Sequence, residues 1–301
     1  MCAFHPDRPA RTWCLECRRP ICSDCMHSAD VGYRCPECAS HSTRRTRTTQ
    51  TGWRRPPLRL PHWGATMGIM VANVVVWLAI LVTGGQSSKL TEWLSLTPFG
   101  TCYVAGGGAY APNASAQLCA ASPGFYWAPG VASGAYWQVL TSAFSHVDFF
   151  HIAFNMLALF FIGTQVERGI GRSLYLGVYT TSALTSSACV MLLTNPHTLT
   201  LGASGAIFGL MGTLLVIVWK NHGDVRTVLI WLGINVAYTF LGGSSISWQG
   251  HLGGLLGGLL AGLVIVYAPR EGRQRWQWLG FVGIAVVALI LIGWRVVALN
   301  S

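Results

Sequence analysis

The sequence predicts an all-α fold: a polytopic bundle of membrane-crossing helices with a small cysteine-rich domain at its N-terminus. Three observations predict it. Hydrophobic residues make up 52% of the 301 and charged residues only 10%, whereas soluble domains are roughly a quarter charged. Apolar stretches close to the ~20 residues that cross a hydrocarbon layer recur along the chain. Closely paired cysteines crowd the first forty residues and are nearly absent afterwards.

Taken in order, the apolar stretches run approximately 66–83, 146–163, 174–193, 204–220, 225–241, 250–268 and 277–298, which makes seven spans. The first is a retained anchor, because the cysteine-rich and then basic stretch before it is far too long for the n-region of a signal peptide. Basic residues set the orientation, since Lys and Arg of short loops stay on the cytoplasmic side. Arg44, Arg45, Arg47, Arg54, Arg55 and Arg59 precede the first span and place the N-terminus inside. Threading seven spans from there puts Arg168, Arg172, Lys220, Arg226, Arg270, Arg273 and Arg275 on the same side and the C-terminus on the opposite one. The opposite loops hold only Lys89, and Arg295 is the misfit, expected to snorkel to the interface. The net charge of +10 is thus mostly a topology signal. Nucleic acid is not expected as a partner, because the basic cluster has no aromatic stacking platform beyond Trp53.

The same threading brings His151, Ser204 and His251 to one level, each in the first turns of a span that begins on the outer side. Ionisable residues are costly in hydrocarbon and usually mark a working site. Taken singly, a serine in a span usually bonds its own backbone carbonyl, and a histidine near a helix end often faces the interface. Glycine links two of them. Gly250, Gly254, Gly258 and Gly262 recur every four residues, Gly253 and Gly257 widen the strip, and Gly205, Gly209 and Gly212 smooth the serine helix. Two such helices approach closely and bring Ser204 and His251 within hydrogen-bond reach. Dense packing without chemistry explains the glycines equally well, but not why Ser and His head the strips.

Gly202-x-Ser204-Gly205 with Phe208 and Gly209, followed by His251 with Gly254 and Gly258, resembles the rhomboid family of intramembrane serine proteases. His146 and the His151-x-x-x-Asn155 of the second span resemble a further motif of that family, and Gly163-Thr164-Gln165-Val166-Glu167-Arg168 with Gly171 resembles the turn after that span. The likeness covers most of residues 65–268, which makes that stretch a six-span core and 269–301 one additional C-terminal span. It departs in one place: many members carry Trp-Arg in the first outer loop, and this chain has Tyr136-Trp137-Gln138.

Chemistry agrees with that reading. A serine needs a base at neutral pH, and histidine has the pKa for the task. No carboxylate lies deep in a span, so a Ser204–His251 dyad is expected, with Asp148 the one candidate for a third member. Hydrolysis also needs donors for the oxyanion. His151 and Asn155 share a helix face with a rise of ~6 Å between them; interhelical hydrogen bonding accounts for them as well, and only the resemblance assigns them, with the Ser204 N–H, to the oxyanion hole. The resemblance also sets Phe208 under the His251 ring. It implies single-pass membrane proteins with helix-breaking residues as substrates, cut within the lipid bilayer and entering beside the fifth span. The alternative is a catalytically silent relative that binds membrane clients. An aspartyl protease lacks its two intramembrane carboxylates here, none of the nine histidines begins H-E-x-x-H, and no inverted repeat suggests a carrier.

Residues 1–41 form a separate domain. Cys2-x2-His5, Cys14-x2-Cys17, Cys22-x2-Cys25 and Cys35-x2-Cys38 offer four pairs, enough for two tetrahedral Zn(2+) sites of structural type. Cytoplasmic thiols stay reduced, so metal is favoured over disulfides. The order of pairs resembles B-box-type zinc fingers, whose interleaved ligation implies Cys2, His5, Cys22 and Cys25 for one ion and Cys14, Cys17, Cys35 and Cys38 for the other; His27 and His41 are possible substitutes. The domain is expected to dock a cytoplasmic partner or recruit substrate through a basic flexible linker, 42–64. Outside, the long Gly-rich loop 84–145 carries Phe125, Tyr126, Trp127 and Trp137, suited to the interface, and Cys102 and Cys119, expected to form a disulfide.

Overall fold

In the computed structural model of the protein, the described residues are 1–14, 16–28, 33–40, 64–105, 110–111, 114–241 and 246–301. The expected linker, apart from Gly64, and His41 lie outside them. The chain divides into two compact units, Met1–Arg55 and Pro56–Ser301.

The second unit is a helical bundle, and the chain is a multi-pass membrane protein. Its long helices are α1 (Ala65–Val82), α2 (Phe149–Ile170), α3 (Arg172–Leu193), α4 (Ser204–Lys220), α5 (Arg226–Leu241), α6 (Trp248–Tyr267) and α7 (Arg273–Asn300). Five of these are long and apolar enough to cross a membrane, and α4 and α5 are shorter apolar helices. All seven coincide with the expected stretches, with one correction. The segment Gly163–Arg168 is not a turn: α2 passes through a π-helical stretch, Leu159–Gly163, and continues to Ile170. The chain reverses only at Gly171, whose φ of 84° favours glycine. The added length brings the Glu167 carboxylate to the start of α1, where it accepts from the Ala65 and Thr66 backbone N–H groups at 2.7 and 2.9 Å. These are donors that a helix N-terminus leaves without internal partners.

Helix α4 lies at the centre. Twelve of its seventeen residues are buried, including Ile207, Leu210 and Met211. Against it α6 lays its glycine strip so closely that a Cβ added at Gly254 would fall 1.8 Å from the Gly205 carbonyl oxygen, and one at Gly258 1.9 Å from that of Gly209. The Thr213 hydroxyl donates to the Gly258 carbonyl at 2.7 Å and pins the pair farther along. Gly253 and Gly257 do not widen this strip as expected. They face α3, where a Cβ at Gly257 would meet the Thr185 hydroxyl oxygen at 2.0 Å. Helix α6 is therefore smooth on two sides and wedged between two neighbours. Helix α7 packs on α3 through Phe281 and Ala288. Arg295 does not merely snorkel: its Nε donates to the Met191 carbonyl at 3.1 Å, placing a positive charge at the C-terminal end of α3.

The loop between α1 and α2 is more ordered than its glycines suggest. It folds a three-stranded antiparallel sheet in the order β6-β5-β7, with β5 at Gly100–Val104, β6 at Tyr110–Ala111 and β7 at Phe125–Pro129. Cys102 and Cys119 form the expected disulfide. At the departure from the family pattern, Gln138 is fully buried; its Oε1 accepts from the Thr97 N–H and its Nε2 donates to the Glu92 and Pro129 carbonyls. Trp137 donates to the Trp93 carbonyl. Burial holds the Glu92 carboxyl above its ordinary pKa, and its oxygen accepts from the Tyr126 hydroxyl at 2.6 Å. An isolated bridge between Leu96 and Thr200 ties this loop to the segment that leads into α4.

The first unit is a small fold of two hairpins, β1–β2 (Thr12–Trp13 with Pro20–Ile21) and β3–β4 (His27–Ser28 with Tyr33–Arg34). Its core is Ile21 surrounded by buried cysteines.

Candidate active site

Ser204 opens α4 and His251 lies in the first turn of α6. The Gly205–Gly254 contact one residue beyond Ser204 locks the two helix starts together, and Ser204 Oγ stands 2.7 Å from His251 Nε2. The histidine is 8% exposed. Its ring stacks on Phe208, with centroids 4.2 Å apart and planes 13° from parallel. Phe208 is one turn past Ser204 on the same helix, so the serine helix supplies both the hydroxyl and the surface under the imidazole.

The second nitrogen has an unexpected partner. His251 Nδ1 is 2.7 Å from the Thr239 hydroxyl of α5. Asp148 is not behind the ring. It caps α2 instead, its carboxylate accepting from the His151 N–H at 2.9 Å. A hydroxyl thus occupies the position for which the sequence offered only that carboxylate.

His151 and Asn155 flank the segment before Ser204. Gly202 has a φ of +124°, and a Cβ there would fall 2.7 Å from the His151 ring. Only glycine suits both the dihedral and the contact. Asn155, 6% exposed, approaches His146 Nε2 at 2.9 Å. The Ala203 N–H, which can only donate, points at that same nitrogen at 3.4 Å. His146 Nε2 is therefore an acceptor, Asn155 turns its NH2 group toward it, and the second amide hydrogen remains for another acceptor. The Ser204 N–H lies in the first turn of α4, where no intrahelical carbonyl reaches it. Behind Gly202 and Gly205 lies a cavity of about 20 Å3, lined by Ser142, Ser186, Thr200 and neighbouring apolar residues, room for one water molecule.

Of the predicted site residues, Ser204, His251, His151 and Asn155 all converge. Thr239 and His146 join them with contacts that the sequence does not predict, Thr239 to the His251 ring and His146 to the Asn155 amide. The signal for Thr239 was weak: a hydroxyl near the end of a span, four residues after Asn235, reads as a residue that bonds its own helix.

In the first unit, Cys2, His5, Cys22 and Cys25 form one cluster and Cys14, Cys17, Cys35 and Cys38 another, with the ligand atoms of each within 4.8 Å of one another. Sulfurs placed ~2.3 Å from a tetrahedral zinc lie about 3.8 Å apart. Cys2 and Cys25 sulfurs are 3.9 Å apart, those of Cys17 and Cys35 3.7 Å. Backbone N–H groups of Phe4, Cys35 and Cys38 point at the Cys2, Cys14 and Cys35 sulfurs, the outer bonds that steady thiolate ligands. His27 belongs to neither cluster. Both clusters fit a metal ion, and the grouping matches the one the finger resemblance implies.

Fold and site together define a multi-pass helical membrane protein in which a serine and a histidine meet at adjoining helix starts. Comparison with known proteins narrows the class. The Rhomboid domain model matches residues 133–268. The chain is 37% identical over 130 residues to the Rhomboid protease GluP of Bacillus subtilis (strain 168), covering 42% of this chain and 25% of that protein. It is 27% identical over 206 residues to Rhomboid-like protease 1 of Toxoplasma gondii, covering 66% and 63%. It is 33% identical over 153 residues to Rhomboid protein 1, mitochondrial, of Saccharomyces cerevisiae, covering 46% and 44%. The matches thus span less than two thirds of each of these relatives. They support the rhomboid family.

Proposed function

We propose that the protein is a rhomboid-type intramembrane serine endopeptidase that hydrolyses transmembrane segments of single-pass membrane proteins with a Ser204–His251 dyad. The observation that carries this reading is the 2.7 Å contact between Ser204 Oγ and His251 Nε2 in a bundle of apolar helices. Ser204 gives its proton to Nε2 as Oγ attacks the scissile carbonyl. The tetrahedral oxyanion is met by the Ser204 N–H, His151 and the free Asn155 amide hydrogen, and the leaving amine takes the proton back from Nε2. Water then repeats the sequence on the acyl-enzyme. The substrate helix unwinds locally to expose its peptide bond, which favours helix-breaking residues near the cut.

By the distribution of basic residues, the N-terminus is cytoplasmic, the C-terminus is on the opposite side, and the dyad opens to the outer face. The N-terminal clusters hold two structural Zn(2+) ions, since classical small fingers fold only with metal, and the finger docks a cytoplasmic partner or recruits substrate. Residues 1–41 make that domain, 65–268 the protease core and 269–301 the added helix.

The test uses full-length protein in lipid with a generic transmembrane substrate and a labelled fluorophosphonate. Wild type cleaves and is labelled, whereas Ser204→Ala and His251→Ala lose roughly 10⁴-fold or more in turnover and Ser204→Ala takes no label. An unlabelled, inactive wild type that still retains membrane clients would instead mark a client-binding relative.

A further inference from the structure

A base that receives the Ser204 proton on Nε2 must carry its own proton on Nδ1. The bonds around Thr239 fix which nitrogen that is. The Thr239 hydroxyl has one hydrogen, and its 2.7 Å bond to the Asn235 carbonyl uses it, because a carbonyl only accepts. Toward His251 Nδ1, also 2.7 Å away, Thr239 Oγ1 therefore presents a lone pair, and Nδ1 is the donor. Nε2 is left with its lone pair facing Ser204 Oγ.

We infer that Thr239 is a positioning residue that holds His251 in the Nδ1–H tautomer, so that the seating of α5 against the bundle decides whether the imidazole is a competent base. The inference rests on the reading of Ser204 and His251 as nucleophile and base. Two further observations support it. The acidic residue nearest in sequence to the site, Asp148, is engaged at the start of α2 and leaves the ring without a carboxylate to orient it. Helix α5 is mostly exposed, with Val228 and Thr239 its only buried residues and Trp231 and Tyr238 in ring contact with Phe161 and Phe154 of α2, so the bond to His251 is one of a small set of contacts that seat it. The protons balance: Oγ–H of Ser204 breaks, Nε2–H forms, Nδ1–H stays on the ring pointing at Thr239, and the Thr239 hydrogen stays on Oγ1 in its bond to the Asn235 carbonyl.

Thr239→Val preserves shape and removes the acceptor, and Thr239→Ser restores it. In full-length protein in lipid, Thr239→Val is expected to lower the fluorophosphonate labelling rate and kcat by roughly 3- to 10-fold, the worth of one net hydrogen bond, with KM and melting temperature little changed. Thr239→Ser is expected within about 2-fold of wild type on the same scale. Nitrogen NMR of 15N-histidine-labelled protein is expected to show His251 protonated on Nδ1 in wild type and as a tautomer mixture in Thr239→Val. Labelling of Thr239→Val at the wild-type rate with Nδ1 still protonated would overturn the inference, as would a wild type protonated on Nε2. If Thr239→Val does not fold, the wild-type tautomer and Thr239→Ser decide. Failure of wild type to label, with the Nδ1–H tautomer intact, would sink the dyad reading and leave the Thr239 bond standing.

Discussion

Asn155 shows how much of a side chain's task depends on what holds it. Its amide is oriented by His146, whose Nε2 is an acceptor because the Ala203 N–H also points at it. One amide hydrogen is thereby spent and the other left free beside Gly202. Asn155→Ala is expected to lower kcat by ~10²–10³, as loss of one oxyanion donor does, with little change in KM; steady-state cleavage of a transmembrane substrate checks it. The residue types were legible in the sequence because a hydroxyl, an imidazole and an amide are each conspicuous in apolar runs. Thr239 was not, because it does what an unremarked threonine does, bonding the carbonyl four residues back. Its second contact crosses between helices, and no local pattern announces that.

At the scale of elements, the α4–α6 contact is backbone against backbone. The fourfold glycine spacing made that contact legible, whereas the second smooth side of α6, toward α3, was not, because one strip of small residues does not say how many neighbours it serves. A leucine at Gly258 has no room: even its Cβ would lie 1.9 Å from a carbonyl that cannot rotate away. Gly258→Leu is expected to destabilise the bundle by about 3 kcal/mol or more, the upper end for overpacked cores, and to separate Ser204 from His251. Gly283→Ala, where nothing lies within 4 Å of the added carbon, is the control expected to be neutral. Thermal unfolding in detergent, followed with fluorophosphonate labelling, separates the two. The sheet in the long loop escaped the sequence because its strands are short and its glycines read as coil. The end of α2 escaped because Gly163 reads as a stop, yet the π-helical stretch carries the chain through it.

The molecule as a whole joins two kinds of stability. The bundle rests on close helix packing, and among the described residues of the N-terminal unit the core is Ile21 and buried cysteines with Phe4 and Met26 against them, too little for so short a segment without metal. Metal analysis of the purified full chain is expected to find two zinc ions, and Cys22→Ser to retain about one, a single missing ligand costing one tetrahedral site. The contrast between a cysteine-rich N-terminal unit and an apolar helical unit was plain from composition. What composition hid is the fastening of the long loop by a neutral side chain. Gln138 grips three backbone groups through an uncharged amide. Counterions do not screen such bonds. The loop keeps its hold in dilute buffer and in brine alike, and beside anionic or zwitterionic headgroups.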